Sequence, residues 1–202
     1  MSGIQNVIFD IGNVLVKWDP YQAMTDLFED RGAMMRALQE IGFFVWNHEQ
    51  DRGRSWEEGL AWAEQNRPEH LEIFQAYAGN IAKTLQEPVD GSAELVQRLL
   101  ARGVRVFGLS NAPLMAFDTM LETAPVLSKM EDVLVSAREF MVKPDAEIFE
   151  LLLQRNGLAA SECLFIDDTA VNCEAAERIG IRAHRFTVAA QLEAVLDELD
   201  LL

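Results

Sequence analysis

The sequence contains few of the residues that mark secreted or membrane-spanning proteins. Its only two cysteines, Cys163 and Cys173, have no Cys or His cluster around them, so neither a disulfide framework nor a zinc site is expected. No apolar run approaches the roughly 20 residues that cross a bilayer. The first residues also lack the basic and apolar segments of a signal peptide. We therefore expect a cytoplasmic protein.

Basic residues are also scarce. The chain has 17 Lys and Arg against 33 Asp and Glu, which gives a formal net charge of −16. Such a charge disfavours nucleic acid and anionic membranes as partners. A small phosphate ester stays compatible, because a metal ion, a lysine and helix N-termini can reverse the field inside one cleft. Composition does not decide between a monomer and a homodimer.

Short apolar runs alternate with amphipathic helices over most of the chain. Half of the 202 residues are apolar, which is enough for a sizeable core. Runs rich in Val, Ile and Phe are typical of parallel strands that are covered on both faces. Five strands are predicted, at 6–9, 104–109, 132–135, 163–166 and 182–186. This alternation predicts a Rossmann-like, doubly wound α/β fold.

The helices between the later strands have predicted starts and stops. Ser92 and Thr169 are expected N-caps, and Pro144 suits the first turn of a helix. The predicted stops are Gly103, Gly157 and Gly180.

Residues 18–87 break the alternation, because they contain helix-like stretches and no clear strand. Helices are predicted at 20–30, 33–41, 55–65 and 68–84, and all four tryptophans lie here: Trp18, Trp46, Trp56 and Trp62. We predict a helical cap domain at 18–87, inserted into a core domain formed by 1–17 and 88–202. The alternative is a helical subdomain that completes the core.

Polar clusters stand where the chain leaves a predicted strand or enters a predicted helix. The clusters are Asp10, Ser110 with Asn111, Lys143 with Pro144, and Asp167 with Asp168. Alone, Asp10, Lys143 and the acidic pair are each more often a turn, cap or surface residue than a catalytic one, and Ser110 with Asn111 is about equally often an ordinary turn. In open α/β sheets, however, ligands bind at the carboxyl ends of the strands. A carboxylate, a hydroxyl, a lysine and an acidic pair at that edge together predict one phosphoryl-transfer site.

In order along the chain, these motifs resemble those of the haloacid dehalogenase-like (HAD) hydrolase superfamily. The motifs are Asp10-Ile11-Gly12-Asn13-Val14-Leu15, Leu109-Ser110-Asn111, Lys143-Pro144 and Phe165-Ile166-Asp167-Asp168. The resemblance covers almost the whole chain and includes a helical insert at the type 1 cap position of subfamily I. It is nearest to bacterial phosphatases whose first motif reads Asp-x-Gly-Asn-Val, such as the glucose-1-phosphate phosphatase type.

The resemblance implies a nucleophile and a metal site. Asp10 would be the nucleophile and would form an aspartyl-phosphate. Mg²⁺ would be held by Asp10, Asp167, Asp168 and the backbone carbonyl of Gly12, since hard oxygen ligands suit this ion. Asn172, one turn into the following helix, would support the acidic pair without binding the metal.

The resemblance also implies ligands for the phosphoryl group. Ser110, Asn111 and Lys143 would bind it, with Ser110 and Lys143 also taking part in catalysis.

Gly12 departs from the pattern of related phosphatases, which usually have a second Asp at this position. That residue gives a proton to the leaving oxygen, and such help is worth roughly 10²–10⁴ in rate. Three interpretations stay open: a leaving group that needs little help, such as that of an anomeric or acyl phosphate; a surrogate acid from elsewhere; or poor activity. Asp19, Asn13 and His48 are candidate surrogates, and we favour a leaving group that needs little help.

A polar and aromatic cluster in the insert is a candidate for substrate binding. Trp46, Asn47, His48 and Arg52 are expected in a loop between helices. A sugar or another polar metabolite is often held by an aromatic ring and a few hydrogen bonds. The alternative is a joint between helices, with a buried Trp and a solvated His.

These features together predict a Mg²⁺-dependent phosphatase that acts on a small phosphorylated metabolite such as a sugar phosphate. One alternative is a 2-haloacid dehalogenase-like hydrolase, in which the aspartate attacks carbon and no metal is needed. The acidic pair argues against it, because two more carboxylates would repel an anionic haloacid. A catalytically weak HAD scaffold with a binding role is the other alternative, and only Gly12 suggests it.

Overall fold

The structure is a computed structural model, and it describes residues 3–202. Residues 1 and 2 of the predicted core segment 1–17 lie outside the described residues. Among the described residues, no helix is both long enough and apolar enough to cross a bilayer. Cys163 and Cys173 are buried free thiols.

Five parallel strands form one central sheet. They are β1 Asn6–Phe9, β2 Arg105–Ser110, β3 Asp132–Val135, β4 Cys163–Asp167 and β5 Arg182–Arg185, in the spatial order β3-β2-β1-β4-β5. The predicted strands are confirmed, and no bound differs by more than one residue. The doubly wound α/β fold is confirmed with them.

The central strands β1 and β4 are apolar because both faces of the sheet are covered there, whereas the edge strand β5 is partly exposed and carries two arginines. Along β1, Val7 and Phe9 face one hydrophobic core, while Ile8 faces a second core on the other side. On β4, Ile166 and Phe165 divide between the two cores in the same way. This double burial explains why β1 and β4 read as continuous apolar runs.

Strand β1 lies where the order of the strands reverses. From β1 the chain builds outwards through β2 and β3 on one side, and then through β4 and β5 on the other. Phe9 pairs with Gly108 of β2 and with Ile166 of β4. The crevice at the carboxyl ends of β1 and its two neighbours is therefore the expected ligand site of such a sheet.

The segment between β1 and β2 is helical. Its first α-helices are α1 Arg31–Ile41, α2 Phe43–Asp51, α3 Trp56–Asn66 and α4 Leu71–Gly79, and 3-10 helices form at Pro20–Ala23, Pro68–His70 and Ile81–Leu85. The predicted helices at 33–41 and 55–65 correspond to α1 and α3. Within 18–87 the described chain forms no strand. The division into a cap at 18–87 and a core stays a prediction.

Six further helices cover the sheet. They are α5 Ser92–Ala101, α6 Leu114–Thr123, α7 Ser136–Glu139, α8 Ala146–Asn156, α9 Ala170–Arg178 and α10 Ala189–Glu198, with 3-10 helices at Pro125–Lys129 and Ala160–Glu162. Buried residues of α5, α6 and α10 belong to one core, and those of α8 and α9 to the other.

Several helix starts differ from the prediction. Gly91, not Ser92, is the N-cap of α5, and the Ser92 hydroxyl is buried without a hydrogen-bond partner in the described chain. Thr169 stands at the N-cap of α9, but its hydroxyl donates to Asp168 and caps no N–H of that helix. Helix α8 begins at Ala146, two residues beyond Pro144.

The predicted helix stops are confirmed. Gly157 is the C-cap of α8, while Gly103 and Gly180 each directly follow the C-cap of their helix. All three have a positive φ, between 63° and 89°, which glycine adopts more readily than other residues.

In the insert, the predicted helix at 20–30 is wrong. Only the 3-10 helix Pro20–Ala23 forms there, and turns follow. The Asp19 carboxylate accepts a hydrogen bond from Tyr21 N, and Asp30 accepts one from Ala33 N at the start of α1. Such side-chain caps compete with helical hydrogen bonds and divide the segment. The predicted helix at 68–84 is similarly divided, with α4 ending at Gly79.

The loop expected around Trp46 is also wrong, because residues 43–51 form helix α2. Gly42 has a φ of 75° and is at once the C-cap of α1 and the N-cap of α2. One residue in this left-handed conformation is enough to turn the chain between two helices.

The insert packs around an aromatic cluster, which consists of Phe43, Trp46, Trp56, Phe74 and Tyr77. The rings of Phe43 and Tyr77 meet edge to face at 4.8 Å, and those of Trp46 and Phe74 at 4.9 Å. Trp46 is 2% exposed, and its indole N–H donates to Gly59 O at 2.8 Å. Trp46 is therefore part of the interior of the insert.

We expect Trp46→Phe to lower the free energy of unfolding by about 1–3 kcal/mol, because the hydrogen bond from the indole to Gly59 O is lost and the smaller ring leaves a cavity in the cluster. Urea denaturation at pH 7 measures the change. Trp62→Phe is the matched control, since Trp62 is exposed and its indole makes no hydrogen bond with a described residue. Equal losses in the two variants would contradict the prediction.

Candidate active site

The candidate site lies at the carboxyl ends of β1, β2 and β4. Asp10 directly follows β1, Ser110 is the last residue of β2, and Asp167 is the last residue of β4. The backbone N–H of Asp10 donates to Ile166 O at 2.8 Å, which continues the pairing of β1 with β4. The sheet itself therefore brings these three polar residues together.

Lys143 lies between two buried carboxylates. Its Nζ is 2.7 Å from Asp10 Oδ1 and 2.8 Å from Asp167 Oδ2, and all three side chains are buried. Burial opposes the charge of the ammonium, but the two carboxylates raise the pKa of Lys143. The lysine is therefore charged and offsets the repulsion between the two acids.

Asn111 holds Lys143 by its backbone. The Asn111 amide oxygen accepts a hydrogen bond from Lys143 N at 2.8 Å, and its Nδ2 donates to Lys143 O at 2.9 Å. Asn111, predicted as a phosphoryl ligand, thus uses its amide to position the lysine, although it also lines the cavity described below.

The two oxygens of Asp10 have different surroundings. Oδ1 accepts a hydrogen bond from Ile11 N at 2.7 Å and pairs with Lys143, whereas Oδ2 makes no hydrogen bond with a described residue. Burial raises the pKa of Asp10 to about 7, Lys143 opposes the rise, and Asp167 adds to it. One oxygen is thus fixed by the protein, and the other is available for a ligand.

Asp167 is held by several donors. Its carboxylate accepts hydrogen bonds from Thr169 N at 2.8 Å and from Asn172 Nδ2 at 3.0 and 3.1 Å, besides the contact with Lys143. Asn172 thus contacts Asp167 of the acidic pair, and its support of a metal site stays a prediction. Asp168 is less enclosed and accepts hydrogen bonds from Asn13 Nδ2 at 3.4 Å and Thr169 Oγ1 at 3.2 Å.

Three carboxylates offer ligands for a divalent cation. Asp10, Asp167 and Asp168 each present an oxygen, and the three oxygens lie within 4.8 Å of one another. Hard oxygen ligands of this kind suit Mg²⁺. Gly12 lines the same cavity as Asp10 and Asp168, so its carbonyl is in the neighbourhood expected of a fourth ligand.

Ser110 is buried, and its hydroxyl makes no hydrogen bond with a described residue. Buried polar atoms are normally paired. Ser110 Oγ, at the end of the strand beside Asp10, is therefore a group that a bound oxyanion could satisfy.

A cavity of about 370 Å³ opens above this cluster. Asp10, Gly12, Asn111, Lys143 and Asp168 belong to its polar end. The remaining wall includes residues of the insert and of helix α6: Trp18, Asn47, His48, Asp51, Tyr77, Ile81, Leu85, Ala116 and Met120. The insert therefore lines the cavity together with the sheet edge.

The structure brings two of the four predicted insert residues to this cavity. Asn47 and His48 line it, and Asn47 Oδ1 is buried without a hydrogen-bond partner among residues 3–202. Trp46 instead lies in the aromatic cluster, and Arg52 pairs with Asp145 at 3.0 Å. Residues 46–48 belong to helix α2, and consecutive side chains of a helix point in different directions. Trp46 therefore cannot face the cavity together with Asn47 and His48.

Asp51 also lines the cavity and was missed by the sequence interpretation. Burial raises its pKa to about 8, with Lys143 opposing the rise and Asp10 adding to it. Its spacing of three and four residues from His48 and Asn47 places all three on one side of a helix. This spacing is visible in the sequence, but it indicates a shared side only if residues 43–51 are known to form a helix.

The side chains of the other two candidate surrogates for an acid have hydrogen-bond partners. Asp19 forms a bidentate pair with Arg31, and it does not line the cavity with Asp10. The Asn13 side chain contacts Asp168 and accepts a hydrogen bond from Trp18 N at 3.0 Å.

Comparison with known proteins identifies similar chains. The family model described as "haloacid dehalogenase-like hydrolase" matches residues 4–180. The sesquiterpene phosphatase astK of Aspergillus oryzae is 25% identical over 187 residues, which cover 86% of this chain and 85% of astK.

Solved structures show the same fold. A HAD family enzyme of Bacteroides thetaiotaomicron, in complex with magnesium and inorganic phosphate, has a TM-score of 0.67 and 21% identity, covering 92% of this chain and 95% of that one. The L-2-haloacid dehalogenase of Xanthobacter autotrophicus has a TM-score of 0.64 and 16% identity, covering 96% and 83%. At these identities the structural likeness establishes the fold alone.

We expect Lys143→Met to lower the free energy of unfolding by about 3–5 kcal/mol at pH 8, because two buried carboxylates would lose their cation. The loss should be smaller at pH 5. Lys143 holds down the pKa of Asp10, so in the variant this pKa rises further in the folded state. Relative to wild type, the extra loss of stability from Asp10 is small at pH 5 and builds up as pH rises from about 7 towards the higher pKa of the variant.

Urea denaturation in EDTA at the two pH values measures this difference. Lys17→Met is the control, because Lys17 forms an exposed pair with Glu87 at 3.0 Å and its loss should have a small effect at both pH values. A loss for Lys143→Met that is the same at pH 5 and pH 8 would contradict the electrostatic explanation.

Proposed function

The chain belongs to the haloacid dehalogenase-like hydrolases, and we propose that it is a Mg²⁺-dependent phosphatase acting through an aspartyl-phosphate. The observation that carries the proposal is the arrangement around Asp10. Its Oδ1 is held by Lys143 and by Ile11 N, its Oδ2 has no donor among the described residues, and further carboxylates lie beside it. We also propose that it is a subfamily I member with a type 1 cap at 18–87, nearest in its first motif to the glucose-1-phosphate phosphatase type.

Three side chains act on the phosphoryl group in this proposal. Asp10 Oδ2 attacks phosphorus while Lys143 holds the other carboxylate oxygen in place. The Lys143 ammonium and the unpaired Ser110 hydroxyl stabilise the negative charge on the phosphoryl oxygens. The attack of one anion on another requires such positive and hydrogen-bonding groups at short range.

The proposed magnesium site consists of Asp10, Asp167, Asp168 and the Gly12 carbonyl. The ion would supply positive charge that offsets the repulsion between the phosphoryl group and the carboxylates. The B. thetaiotaomicron relative in complex with magnesium and phosphate supports this choice of ion. The name of the A. oryzae relative supports a phosphatase.

The two alternatives find less support. Three carboxylates in one cluster would repel an anionic haloacid, and the likeness to the X. autotrophicus dehalogenase concerns the fold alone. A scaffold without activity would not need Lys143 buried between two acids, since burying charges is costly. We also propose a cytoplasmic location and a small-molecule partner, with neither nucleic acid nor membrane.

The expectation of a sugar phosphate relied in part on Trp46 and Arg52, which do not line the cavity. On the insert side, two polar groups are already paired within the protein. Tyr77 Oη accepts a hydrogen bond from Trp18 Nε1 at 3.1 Å, and Thr84 Oγ1 donates to Ile81 O at 2.6 Å. Of the insert side chains that line the cavity, Asn47, His48 and Asp51 are left to bind the several hydroxyls of a sugar.

Apolar side chains make up much of the rest of this wall, among them Ile81, Leu85, Ala116 and Met120. We therefore propose a phosphate ester with a largely apolar organic group. The name of the A. oryzae relative, a sesquiterpene phosphatase, supports this class of substrate.

Asp10→Asn should lower phosphate release from an aryl phosphate by about 10³-fold or more, because the amide cannot act as the nucleophile. EDTA should abolish the wild-type activity, and Mg²⁺ should restore it. Asp26→Asn, at an exposed aspartate, is the control. Activity that survives Asp10→Asn would refute the nucleophile, and chloride release from 2-chloropropionate in EDTA would favour the dehalogenase.

Met120→Gln should lower kcat/KM for hexyl phosphate by about tenfold, because an amide in the apolar wall weakens binding of the alkyl chain. Hydrolysis of glucose 1-phosphate should change little. Met115→Gln is the matched control, since Met115 lies on the same helix but is exposed. A wild-type enzyme that prefers glucose 1-phosphate to hexyl phosphate would contradict the apolar substrate class.

A further inference from the structure

Gly12 cannot supply the proton that the leaving oxygen of a phosphate ester needs. An apolar alcohol is a basic leaving group, so the proposed substrate class requires an acid after all, in contrast to the interpretation favoured from the sequence. The acid must be a side chain that reaches the cavity above Asp10.

Few side chains of the described cavity wall are available as the acid. The carboxylates beside Lys143 keep its charge, and burial raises the pKa of Tyr77 above its usual range. Asp10 is the proposed nucleophile, and Asp168 belongs to the proposed metal site. His48 and Asp51 remain, and both lie on helix α2.

We propose that Asp51 is the general acid–base of this enzyme, donating a proton to the leaving oxygen in place of the carboxyl group missing at Gly12. The inference rests on the proposed phosphatase function. In this proposal the insert supplies the proton for the leaving oxygen and also forms part of the cavity wall.

The C-terminal end of α2 is attached to the edge of the sheet. Asp51 is the last residue of α2, and its carbonyl accepts a hydrogen bond from Ser136 Oγ at 2.5 Å. Two residues later, Gly53 has a φ of 105°, and a Cβ there would lie 2.8 Å from the Phe140 ring. Close backbone contact with the segment after β3 therefore fixes the position of Asp51 in the cavity wall.

The Asp51 carboxyl group has no competing partner. It makes no hydrogen bond or ion pair with any residue in 3–202, including Asp10 and the acidic pair. The nearby guanidinium groups are engaged, since Arg52 pairs with Asp145 at 3.0 Å and Arg54 donates to Trp46 O at 2.8 Å. A carboxyl group that lines a cavity and has no partner is free to exchange a proton with a bound ligand.

The surroundings of Asp51 favour its protonated form. Burial raises its pKa to about 8, the Lys143 charge opposes this, and the Asp10 charge adds to it. Tyr77, which also faces Asp51, is neutral. A carboxyl group that keeps its proton near neutral pH can act as a general acid, as an ordinary aspartate cannot.

Bonds and protons balance over the two steps. Asp10 Oδ2 forms a bond to phosphorus, the bond from phosphorus to the leaving oxygen breaks, and that oxygen takes its proton from Asp51. Water then forms a bond to phosphorus, the bond to Asp10 breaks, and the Asp51 carboxylate takes a proton from the water. Phosphate and an alcohol leave, and both aspartates return to their starting states.

The test compares two leaving groups of different basicity in the full chain with Mg²⁺. Asp51→Asn should lower kcat/KM for hexyl phosphate by about 10²-fold or more, because an alkoxide needs a proton to leave. For 2,4-dinitrophenyl phosphate the loss should be less than about tenfold, because this phenolate leaves without one. Glu49→Gln, which removes an exposed carboxylate from the same helix, should affect neither ester.

A stability measurement shows whether the variant folds. The folded-state pKa of Asp51 is raised from 3.8 to about 8, so this group makes the protein less stable as pH rises between these values. The whole effect is present above pH 8. Asp51→Asn lacks it and should melt at a higher temperature than wild type at pH 9, with a smaller difference at pH 5.

Three results would overturn the proposal. They are an equal loss on both esters, which indicates a positioning role; no loss on hexyl phosphate; and a leaving-group dependence in His48→Gln in place of Asp51→Asn. If the wild-type protein released no phosphate from 2,4-dinitrophenyl phosphate, the phosphatase function itself would be refuted, and the role of Asp51 with it.

Discussion

The contact of Lys143 with Asp10 and Asp167 is the interaction on which the rest of the site depends. The parallel pairing of β1 with β4 places two carboxylates next to each other below the protein surface. Without a cation, one of them would have to take up a proton. Lys143 opposes this, although burial still raises the pKa of Asp10 to about 7, and Asn111 holds the Lys143 backbone by a pair of hydrogen bonds. The charge state of the nucleophile thus depends on a residue that precedes α8.

Much of the core could be predicted because its signals are local. Strands buried on both faces read as apolar runs, and the polar residues that end them must meet at one edge of a parallel sheet. Asp10, Ser110 and Asp167 could therefore be placed together from their positions in the sequence. Lys143 required the resemblance to a family, since a lysine before a proline has no fixed position by itself.

The insert was harder to predict because its decisive signals are single residues. Gly42 turns the chain between α1 and α2 without a loop, so a segment expected as a loop is a helix. This changes the direction of every side chain from Phe43 onwards. Trp46, expected to bind substrate, lies in the aromatic cluster. Asp51, which was not among the candidate residues, lines the cavity. Hydrophobic periodicity does not reveal this, because both sides of α2 are buried in part.

Ser136 limits how far the insert can be treated as a separate module. Its hydroxyl accepts a hydrogen bond from Ala112 N at 3.0 Å and donates one to Asp51 O, so one atom joins the chain after β2 to the end of α2. The insert wall and the sheet-edge wall of the cavity are therefore both hydrogen-bonded to Ser136. Grafting residues 18–87 from another member of the family would preserve the alignment of the cavity only if its helix presented a carbonyl to the same serine.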